Sequence, residues 1–411
     1  MEKGLLKLQV RFLGSQATTL TTTDDLSPPS AAILKREDLL KADCVLVWPP
    51  ADGMAGLLEA QQRLAVVETA AAADRFLKHW PAGAIRVASS VEGIGRISFD
   101  ELPPEPQLLV FMPKAKQALY SLLQTLVQSS AASHEVLLVG EKRSGVDGIG
   151  KSLVKAGIDA GKVDSLRHCQ IWRVTVQRDD GALLQWLTAA LAADRAQFEF
   201  TNPLTGKPLS LNSGAGVFSF GQLDEGTELL LSTLCEWLND CPGDSVAAGK
   251  DGRQSGVLKG RVLDFGCGNG VISAALAQFD GRLDIVAVDT SASACESTAF
   301  NLSQLAPEAQ VIMADGVRPL IDTGEHGAFD WIISNPPFHE GLRKSLEPTL
   351  VFFESLASLL KPGGRVLLVA NSFLPYQQFL QKHKFEVTVL QEDARFTVMM
   401  VKRVLKRQTG H

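Results

Sequence analysis

Cysteine is scarce in this sequence. The 411 residues include six cysteines, and none of them forms a Cys-x-x-Cys pair. Disulfide frameworks and zinc knuckles need closely spaced cysteines, so neither is expected. The scattered thiols instead favour a protein of the reducing cytoplasm that uses no metal.

Long apolar runs and an excess of positive charge are also missing. No run of ~18 apolar residues is present to cross a membrane, and MEKGLLKLQVRFLGSQATT lacks the apolar core of a signal peptide. The formal net charge is −6. A nucleic-acid partner would therefore need a local basic patch. The sequence predicts a soluble, unexported monomer with no membrane partner.

The chain is long enough for two domains, since a single core stops growing near ~250–300 residues. Residues 108–145 and 331–375 both contain an apolar strand, a proline corner, a long helix and a strand with Val-Leu-Leu-Val. Any two βαβ units share part of this pattern, but a duplication explains it better. Residues 201–218 are rich in Gly, Pro, Ser and Asn, as linkers and turns are. We predict two tandem Rossmann-like α/β domains, 1–195 and 196–411, each with a parallel sheet and an antiparallel C-terminal hairpin, the first degenerate.

A glycine-rich turn marks the second domain. The strand in GRVLDFGCGNGVISAALAQF runs into Gly266, Gly268 and Gly270, which allow the backbone to approach a ligand closely. Dinucleotide sites share such turns. Asp264, two residues before the first glycine, can accept a hydrogen bond from a cationic amino group, which a dinucleotide pyrophosphate lacks. This favours the methionine end of S-adenosylmethionine, with NAD as the alternative.

Two more acids follow at strand ends. LDIVAVDTS ends at a strand-tip Asp289, where a carboxylate can bind ribose hydroxyls. AQVIMADG carries Asp315, which is placed to accept from an adenine amine. The carboxyl ends of parallel strands open into one crevice, so the acids are expected around one cofactor. A single acid of this kind is more often a solvated strand end, and it is the three together that favour one site.

A fourth strand, WIIS, ends in Asn335-Pro336-Pro337-Phe338. The prolines fix φ and remove two N–H donors, so the corner offers acceptors. The Asn335 amide oxygen and the Pro336 carbonyl can each accept a hydrogen from a planar amino group, while Phe338 lies against the base. The corner is therefore predicted to hold an amide-like nitrogen in line with a sulfonium methyl. A purely structural turn is the alternative.

These motifs resemble class I S-adenosylmethionine-dependent methyltransferases with an Asn-Pro-Pro-aromatic motif. The stretches VGEKRSGVDG, KVDSLRHCQIW, GVFSFGQLDEGTELLLSTL and ISNPPFHEG further resemble the ribosomal RNA small subunit methyltransferase C family. Members of that family are 16S rRNA (guanine(1207)-N(2))-methyltransferases, which pair a decayed and a catalytic domain. The resemblance implies methyl transfer to guanine N2 in 16S rRNA of the small (30S) ribosomal subunit, with S-adenosylmethionine as cofactor.

The resemblance also implies roles for individual residues. Asp264 and the glycine-rich turn would contact the methionine moiety, Asp289 the ribose and Asp315 the adenine. Phe218 and the turn Asp224-Glu225-Gly226-Thr227 would cover the cofactor. The implied cofactor-binding residues are Phe218, Thr227, Asp264, Gly266, Cys267, Gly268, Gly270, Asp289 and Asp315. The implied catalytic residues, which would hold guanine N2, are Asn335, Pro336, Pro337 and Phe338.

Other functions stay open on the sequence alone. A 23S rRNA guanine-N2 methyltransferase has a similar domain pair, and a release-factor glutamine-N5 methyltransferase has a similar corner. An RNA-binding factor for ribosome assembly is a candidate of another class. The basic groups available for RNA are each more often solvated surface charges than phosphate contacts, so they count only as a set. They are Lys142, Arg143, Arg167, His168, Lys402, Arg403, Lys406 and Arg407.

Overall fold

The computed structural model divides the chain into two compact units. The N-terminal unit comprises Gln16–Arg195 and Ser291–Ser293, and the C-terminal unit comprises Met1–Ser15, Ala196–Thr290 and Ala294–His411. The residues that the structure describes are 10–13, 26–41, 44–58, 64–80, 84–87, 107–113, 116–128, 133–166, 168–191, 196–214, 217–240, 258–336 and 347–404.

Strands and helices alternate through most of both units. The strands are β1 (Val10–Leu13), β2 (Val45–Val47), β3 (Leu64–Val67), β4 (Ile85–Val87), β5 (Gln107–Phe111), β6 (Ser133–Glu141), β7 (Ala160–Leu166), β8 (Cys169–Gln177), β9 (Ala196–Asn202), β10 (Lys207–Ser213), β11 (Arg261–Phe265), β12 (Asp284–Asp289), β13 (Gln310–Ala314), β14 (Phe329–Ser334), β15 (Leu360–Asn371), β16 (Phe385–Glu392) and β17 (Phe396–Arg403). The helices are α1 (Pro28–Leu34), α2 (Met54–Leu57), α3 (Ala70–Leu77), α4 (Lys116–Val127), α5 (Val146–Lys155), α6 (Gly181–Leu191), α7 (Glu225–Asp240), α8 (Val271–Phe279), α9 (Ala292–Leu302), α10 (Arg318–Asp322), α11 (Glu347–Leu359) and α12 (Tyr376–Lys382). Two short 3₁₀ helices, Glu37–Leu39 and Lys142–Ser144, complete the set.

The two units are built on sheets of the same design. The N-terminal sheet has the order β4-β3-β2-β5-β6-β8-β7, and the C-terminal sheet has the order β1-β13-β12-β11-β14-β15-β17-β16. In both sheets the strands are parallel except for the last hairpin, β7–β8 or β16–β17, which is antiparallel. Without β1, the two orders are identical when the strands are counted along the chain. The predicted fold class, two tandem Rossmann-like domains, is confirmed.

Strand β1 lies in the C-terminal sheet, although it precedes the whole N-terminal unit in the chain. It pairs in parallel with β13, from Val10 opposite Val311 to Leu13 opposite Ala314. The sequence places residues 1–195 in one domain, whereas this short strand covers what would otherwise be the β13 edge of the other sheet. Covering an edge satisfies its free backbone N–H and C=O groups.

A β-hairpin occupies much of the segment that resembles a linker in the sequence. Strands β9 and β10 pair from Ala196–Ser213 to Asn202–Lys207, so the linker interpretation of residues 201–213 is wrong. The hairpin forms because apolar residues alternate along both strands: Leu209 and Leu211 are buried. The Asn202 side chain donates to the Ala275 carbonyl at 3.0 Å, which fixes the hairpin to α8.

The core of the C-terminal unit lies on both faces of its parallel strands. Their side chains form near-continuous buried apolar runs, as in Val262–Leu263 of β11 and Ile332–Ile333 of β14. Phe265 stacks on Phe352 of α11 with 4.0 Å between ring centroids. This packing sets the carboxyl ends of β11, β12, β13 and β14 side by side at one edge.

Two further searches cover the described part of the chain alone. There, no helix has both the length and the apolar character needed to cross a membrane. Within the same residues, no group of three or more His, Cys, Asp or Glu side chains is arranged to hold a metal ion.

Candidate active site

The glycine-rich turn connects β11 to α8 through three residues with positive φ. Gly266, Gly268 and Gly270 have φ of +75°, +55° and +80°, a region that side chains with a Cβ rarely adopt. The Gly266 and Cys267 N–H groups both donate to the Val288 carbonyl of β12, at 2.8 and 3.0 Å. The turn is therefore held against the neighbouring strand, with its open face at the carboxyl edge of the sheet.

Asp264 lies beneath this turn and is completely buried. Its Oδ2 accepts hydrogen bonds from the Ser273 N–H at 3.1 Å and the Ser273 hydroxyl at 2.6 Å. Its Oδ1 has no hydrogen-bond partner among the described residues. Burial raises the pKa of Asp264 to about 7, against the opposing effect of the Ser273 hydrogen bonds. The carboxyl group thus ties β11 to the first turn of α8 and carries one unsatisfied oxygen.

The other two predicted acids lie at the same edge: Asp289 is the last residue of β12, and Asp315 follows β13. Asp289 is half-buried, and its Oδ2 accepts from the Gly268 N–H at 3.0 Å, so it also braces the glycine-rich turn. Asp315 is exposed, one residue beyond β13. The three predicted acids therefore lie on neighbouring strands, as expected of one crevice. Their contacts with a cofactor stay predictions.

Cys267 is a buried thiol within the turn. A hydrogen bond with Cys295, burial and the nearby Asp289 charge together raise its pKa well above the ordinary value. The Thr298 hydroxyl donates to its sulfur at 3.3 Å. Cys267 is therefore protonated at neutral pH and is suited to shaping the turn rather than to nucleophilic attack.

A cavity opens above the turn and is lined from three parts of the C-terminal unit. Seven residues that the sequence analysis names line it: Phe218, Asp224, Thr227, Gly266, Cys267, Gly268 and Asn335. Asp264, Gly270, Asp289 and Asp315 do not line it. Lining residues that the sequence did not single out are Ser219, Asn269, Val271 and Ile272. Phe218 is 66 % exposed, which leaves its ring available to a bound molecule.

Asn335 brings the end of β14 to this cavity. The preceding Ser334 is buried, and its hydroxyl donates to the Phe265 carbonyl of β11 at 2.6 Å, which fixes the end of the strand. The Asn335 side-chain Nδ2 donates to Asp224 Oδ2 at 2.8 Å and to Thr227 Oγ1 at 3.0 Å. Pro336 is buried, whereas Pro337 and Phe338 lie outside the described residues.

The contact between Asp224 and Asn335 was not foreseen from the sequence. Asp224 precedes α7 and accepts from the Thr227 N–H at 2.9 Å, as an N-cap residue does. The Asp-x-x-Thr spacing at the start of a helix signals such a cap. Nothing in the sequence signals the second contact, which joins residues 111 positions apart.

Asn269 is a second residue that sequence reasoning passed over. Its side chain is 5 % exposed, and its Nδ2 has no hydrogen-bond partner among the described residues. Its carbonyl accepts from Asn301 Nδ2 at 2.8 Å, which anchors the turn to α9. Asn269 is thus a lining residue of the cavity that has an amide donor without a partner among the described residues.

The predicted basic groups are spread over both units. In the N-terminal unit, Arg143 pairs with Glu141 at 2.8 Å and is 86 % exposed. Lys402 and Arg403 end β17 in the C-terminal unit and are exposed. Arg167, Lys406 and Arg407 lie outside the described residues.

Two family models and several known proteins resemble the chain. Residues 208–400 match the methyltransferase small domain, and residues 30–189 match the methyltransferase small domain N-terminal model. A ribosomal RNA small subunit methyltransferase C of Hahella chejuensis is 35% identical over 382 residues, which cover 91% of this chain and 98% of that protein. The protein of the same name from Pseudomonas syringae pv. tomato is 33% identical, with 92% and 100% covered.

A solved structure has a similar fold over nearly the whole chain. The T. Thermophilus 16S rRNA N2 G1207 methyltransferase, in complex with AdoMet and guanosine, matches with a TM-score of 0.66 and covers 92% of each chain. Its sequence identity is 20%, so this likeness concerns the fold.

Proposed function

The chain belongs to the ribosomal RNA small subunit methyltransferase C family, and we propose that it transfers a methyl group from S-adenosylmethionine to the exocyclic N2 of a guanine in 16S rRNA. The relatives of that name match this chain over almost their full length, and the similar solved structure contains both AdoMet and guanosine. The RNA partner is then the small ribosomal subunit or its rRNA.

The observation that carries the proposal is the orientation of the Asn335 amide. An ionised carboxylate can only accept hydrogen bonds, so the atom that lies 2.8 Å from Asp224 Oδ2 must be the amide nitrogen. The amide oxygen then remains as an acceptor at the wall of the cavity. An acceptor in that place suits an amino group that is to be held by its hydrogens.

The residues around the turn fit S-adenosylmethionine. Three glycines with positive φ let the backbone of the turn approach a ligand at the carboxyl edge of the sheet. Asp289 lies beside that turn, where its carboxylate would accept from ribose hydroxyls, and the side chain of Asn269 would add an amide donor. When bound, S-adenosylmethionine supplies an electrophilic methyl group on a sulfonium sulfur.

The role of the protein's own residues is to position the acceptor nitrogen. Asn335 Oδ1 and the Pro336 carbonyl each accept one hydrogen of the guanine amino group, which turns the nitrogen lone pair toward the methyl. The amine would be neutral when it attacks the methyl carbon; the methyl–sulfur bond would break as the C–N bond forms, the neutral thioether would leave, and the nitrogen would then lose a proton to solvent. No strong base is needed, and positioning supplies most of the rate gain.

We also propose a division of labour between the two halves. Residues 196–411, together with strand β1, would carry cofactor binding and transfer, while residues 16–195 would serve substrate recognition or folding support. The position of β2 in the N-terminal sheet corresponds to that of β11, but β2 is followed by Trp48-Pro49-Pro50 in place of a glycine-rich turn. Trp48 is buried there as part of the hydrophobic core of the N-terminal unit.

A methyl-transfer assay tests the proposed function. Small ribosomal subunits from cells that lack this gene are incubated with the protein and tritiated S-adenosylmethionine, and the label is mapped by nuclease digestion. We expect one N2-methylguanosine in 16S rRNA. Large subunits and a release factor are the control substrates. Label in 23S rRNA or in protein, with none in 16S rRNA, would overturn the proposal.

The same assay separates an enzyme from an assembly factor. An Asn335→Ala variant should lose methyl transfer while it still binds S-adenosylmethionine. If that variant restores subunit assembly to a deletion strain as well as the wild type does, and the wild type transfers no methyl group in vitro, the protein acts as an RNA-binding factor.

A further inference from the structure

We infer that Asp224 is a positioning residue that fixes which end of the Asn335 amide faces the substrate. This inference rests on the proposed function, since it assigns the role of Asn335 in methyl transfer to a second residue. Asp224 is half-buried at the start of α7. It belongs to the turn that, by the resemblance to the family, would cover the cofactor. Its carboxylate reaches from that turn to the end of β14.

One oxygen of Asp224 accepts three hydrogens. Oδ2 accepts from the Thr227 N–H at 2.9 Å, from the Thr227 hydroxyl at 3.3 Å and from Asn335 Nδ2 at 2.8 Å. Oδ1 has only a 3.5 Å contact with the Ser219 hydroxyl. The strongest contacts thus converge on the oxygen that joins the helix start to Asn335.

The packing around Asp224 leaves room for this arrangement. A Cβ added at Gly226 would lie 3.1 Å from Asp224 Oδ2 and 3.1 Å from the ring of Phe396. Any other residue at position 226 would therefore press on the carboxylate and on β17. The absence of a side chain at Gly226 keeps Oδ2 free to approach Asn335.

Capping α7 does not by itself require aspartate. Serine, threonine and asparagine cap helices about as well, since a single acceptor for the N–H of the third helical residue is enough. Aspartate differs because its carboxylate carries two acceptors, no donor and a longer reach than serine. The contact with Asn335 uses these extra properties.

The polarity of the Asn335 amide depends on Asp224 and not on Thr227. A hydroxyl both donates and accepts, so Thr227 Oγ1 satisfies either end of an amide. The carboxylate accepts only, and it therefore excludes the flipped amide. In the flipped state Nδ2 would face the cavity, and its hydrogens would oppose those of the guanine amino group.

An Asp224→Ser variant separates this role from capping. Serine still caps α7 but is too short to reach Asn335, so we expect the single-turnover rate on small subunits to fall about 10- to 100-fold, the usual cost of one charged hydrogen bond. The loss should persist at saturating S-adenosylmethionine, since the contact acts on Asn335, and calorimetry gives the dissociation constant of the cofactor for comparison.

Two further variants complete the set. Asp180→Ser is the matched control, because Asp180 caps α6 through its contacts with the Ala182 and Leu183 N–H groups and lies outside the cavity lining. It should transfer methyl groups at the wild-type rate. Asp224→Asn keeps an acceptor for both Thr227 N–H and Asn335 Nδ2. On a logarithmic scale, its single-turnover rate should therefore lie at least halfway from that of Asp224→Ser to that of the wild type.

The outcomes that overturn the inference are distinct from failure of the proposed function. If Asp224→Ser keeps its rate, if its loss appears only as weaker cofactor binding, or if Asp224→Asn is as slow as Asp224→Ser, Asp224 does not act through the polarity of Asn335. Nuclear magnetic resonance gives a readout without substrate. The ¹⁵N-labelled Asn335 side-chain amide, identified by its loss in Asn335→Ala, should exchange its hydrogens faster in Asp224→Ser than in the wild type. Unchanged exchange would overturn the contact even if the protein methylates another substrate.

Discussion

Asn335 is the residue whose replacement tests the site most sharply. In an Asn335→Asp variant, a carboxylate would stand where Nδ2 now lies 2.8 Å from Asp224 Oδ2. The donor is lost, two acceptors face each other, and a negative charge is added near the sulfonium. That charge stabilises the bound cofactor more than a transition state in which the positive charge disperses. We expect methyl transfer to fall ~10²–10³-fold, measured by tritium transfer to small subunits.

The same variant should show a specific pH dependence of stability. Two facing carboxylates raise the pKa of one of them, so the folded state holds a proton that the unfolded chain has already lost. The free energy of unfolding should then fall as pH rises from the unfolded pKa to the raised one. Asp224→Asn/Asn335→Asp is the control, because an amide faces the new carboxylate.

The rate of the Asn335→Asp variant also has an outcome that contradicts the proposed role of the corner. Turnover above about a tenth of the wild-type rate would identify the corner as a structural turn.

Asp264 gives the wild-type protein a pH dependence of its own. Its folded pKa of about 7 lies above the ordinary value of 3.8, so the folded state binds more protons between these values. The free energy of unfolding should therefore fall between about pH 4 and pH 7, by up to about 1.4 kcal/mol per pH unit. Amide hydrogen exchange of β11 across this range measures it.

An Asp264→Asn variant is the comparison for that measurement. The asparagine oxygen can still accept from both Ser273 donors, and the amide does not titrate. Its pH slope should be flatter than that of the wild type, and above pH 7 its β11 amides should exchange no faster. Equal slopes would show that another group causes the dependence.

How far single residues could be predicted depended on whether their signal is local. The three glycines are visible in the sequence because only a turn of unusual φ needs them together. Asp264 was placed correctly at the end of a strand, but its complete burial follows from the packing of α8, which no local pattern encodes. The Asp224 contact with Asn335 joins distant segments and became visible only with the fold.

At the scale of elements, the turn before α8 is where we expect a single substitution to lower the stability most. Gly270 has φ of +80°, and a Cβ there would lie 2.9 Å from the Thr298 hydroxyl and 3.1 Å from the Thr298 Cα. Gly270→Ala should therefore lower the free energy of unfolding by more than the ~1 kcal/mol that positive φ alone costs. It should also weaken cofactor binding, since the turn must shift.

Gly316→Ala is the matched control for that change. Gly316 has φ of +73°, but a Cβ there would have no neighbour within 4 Å. Its replacement should cost only the backbone strain. Urea unfolding of both variants gives the comparison, and equal losses would show that contact with Thr298 is relieved without cost.

Strands and helices could be predicted where their pattern was strong. Apolar runs that end in Gly, Asp or Asn predicted β11, β12, β13 and β14, and the parallel arrangement followed from the helices between them. The β9–β10 hairpin was missed because Gly, Pro and Asn dominated the interpretation, although Phe198, Phe200, Leu209 and Leu211 alternate as strands require. Strand β1 has four residues, and no pattern in them indicates the distant strand with which it pairs.

At the scale of the whole molecule, the two domains have sheets of the same design, but only the C-terminal domain is expected to bind the cofactor. The glycine-rich turn occurs only after β11. At the corresponding place after β2, Asp52 uses both carboxylate oxygens, accepting from the Met54 N–H at 3.0 Å and the Ser27 N–H at 2.9 Å. We expect calorimetry to give one S-adenosylmethionine per chain. A second site of similar affinity would contradict the degenerate character of the N-terminal domain.

Strand β1 has a consequence for the order in which the molecule is made. The ribosome synthesises Val10 first, yet its partner Val311 follows 301 positions later (311 − 10). Closing a flexible loop of that length costs about 5 kcal/mol in chain entropy. The N-terminal unit, almost all of it encoded between these two strands, can fold during synthesis. Once folded, its residues no longer belong to the flexible loop, and the closure cost falls. Early folding of the N-terminal unit thus eases the return of β1 to β13, so it assists completion of the catalytic sheet even without contacting substrate.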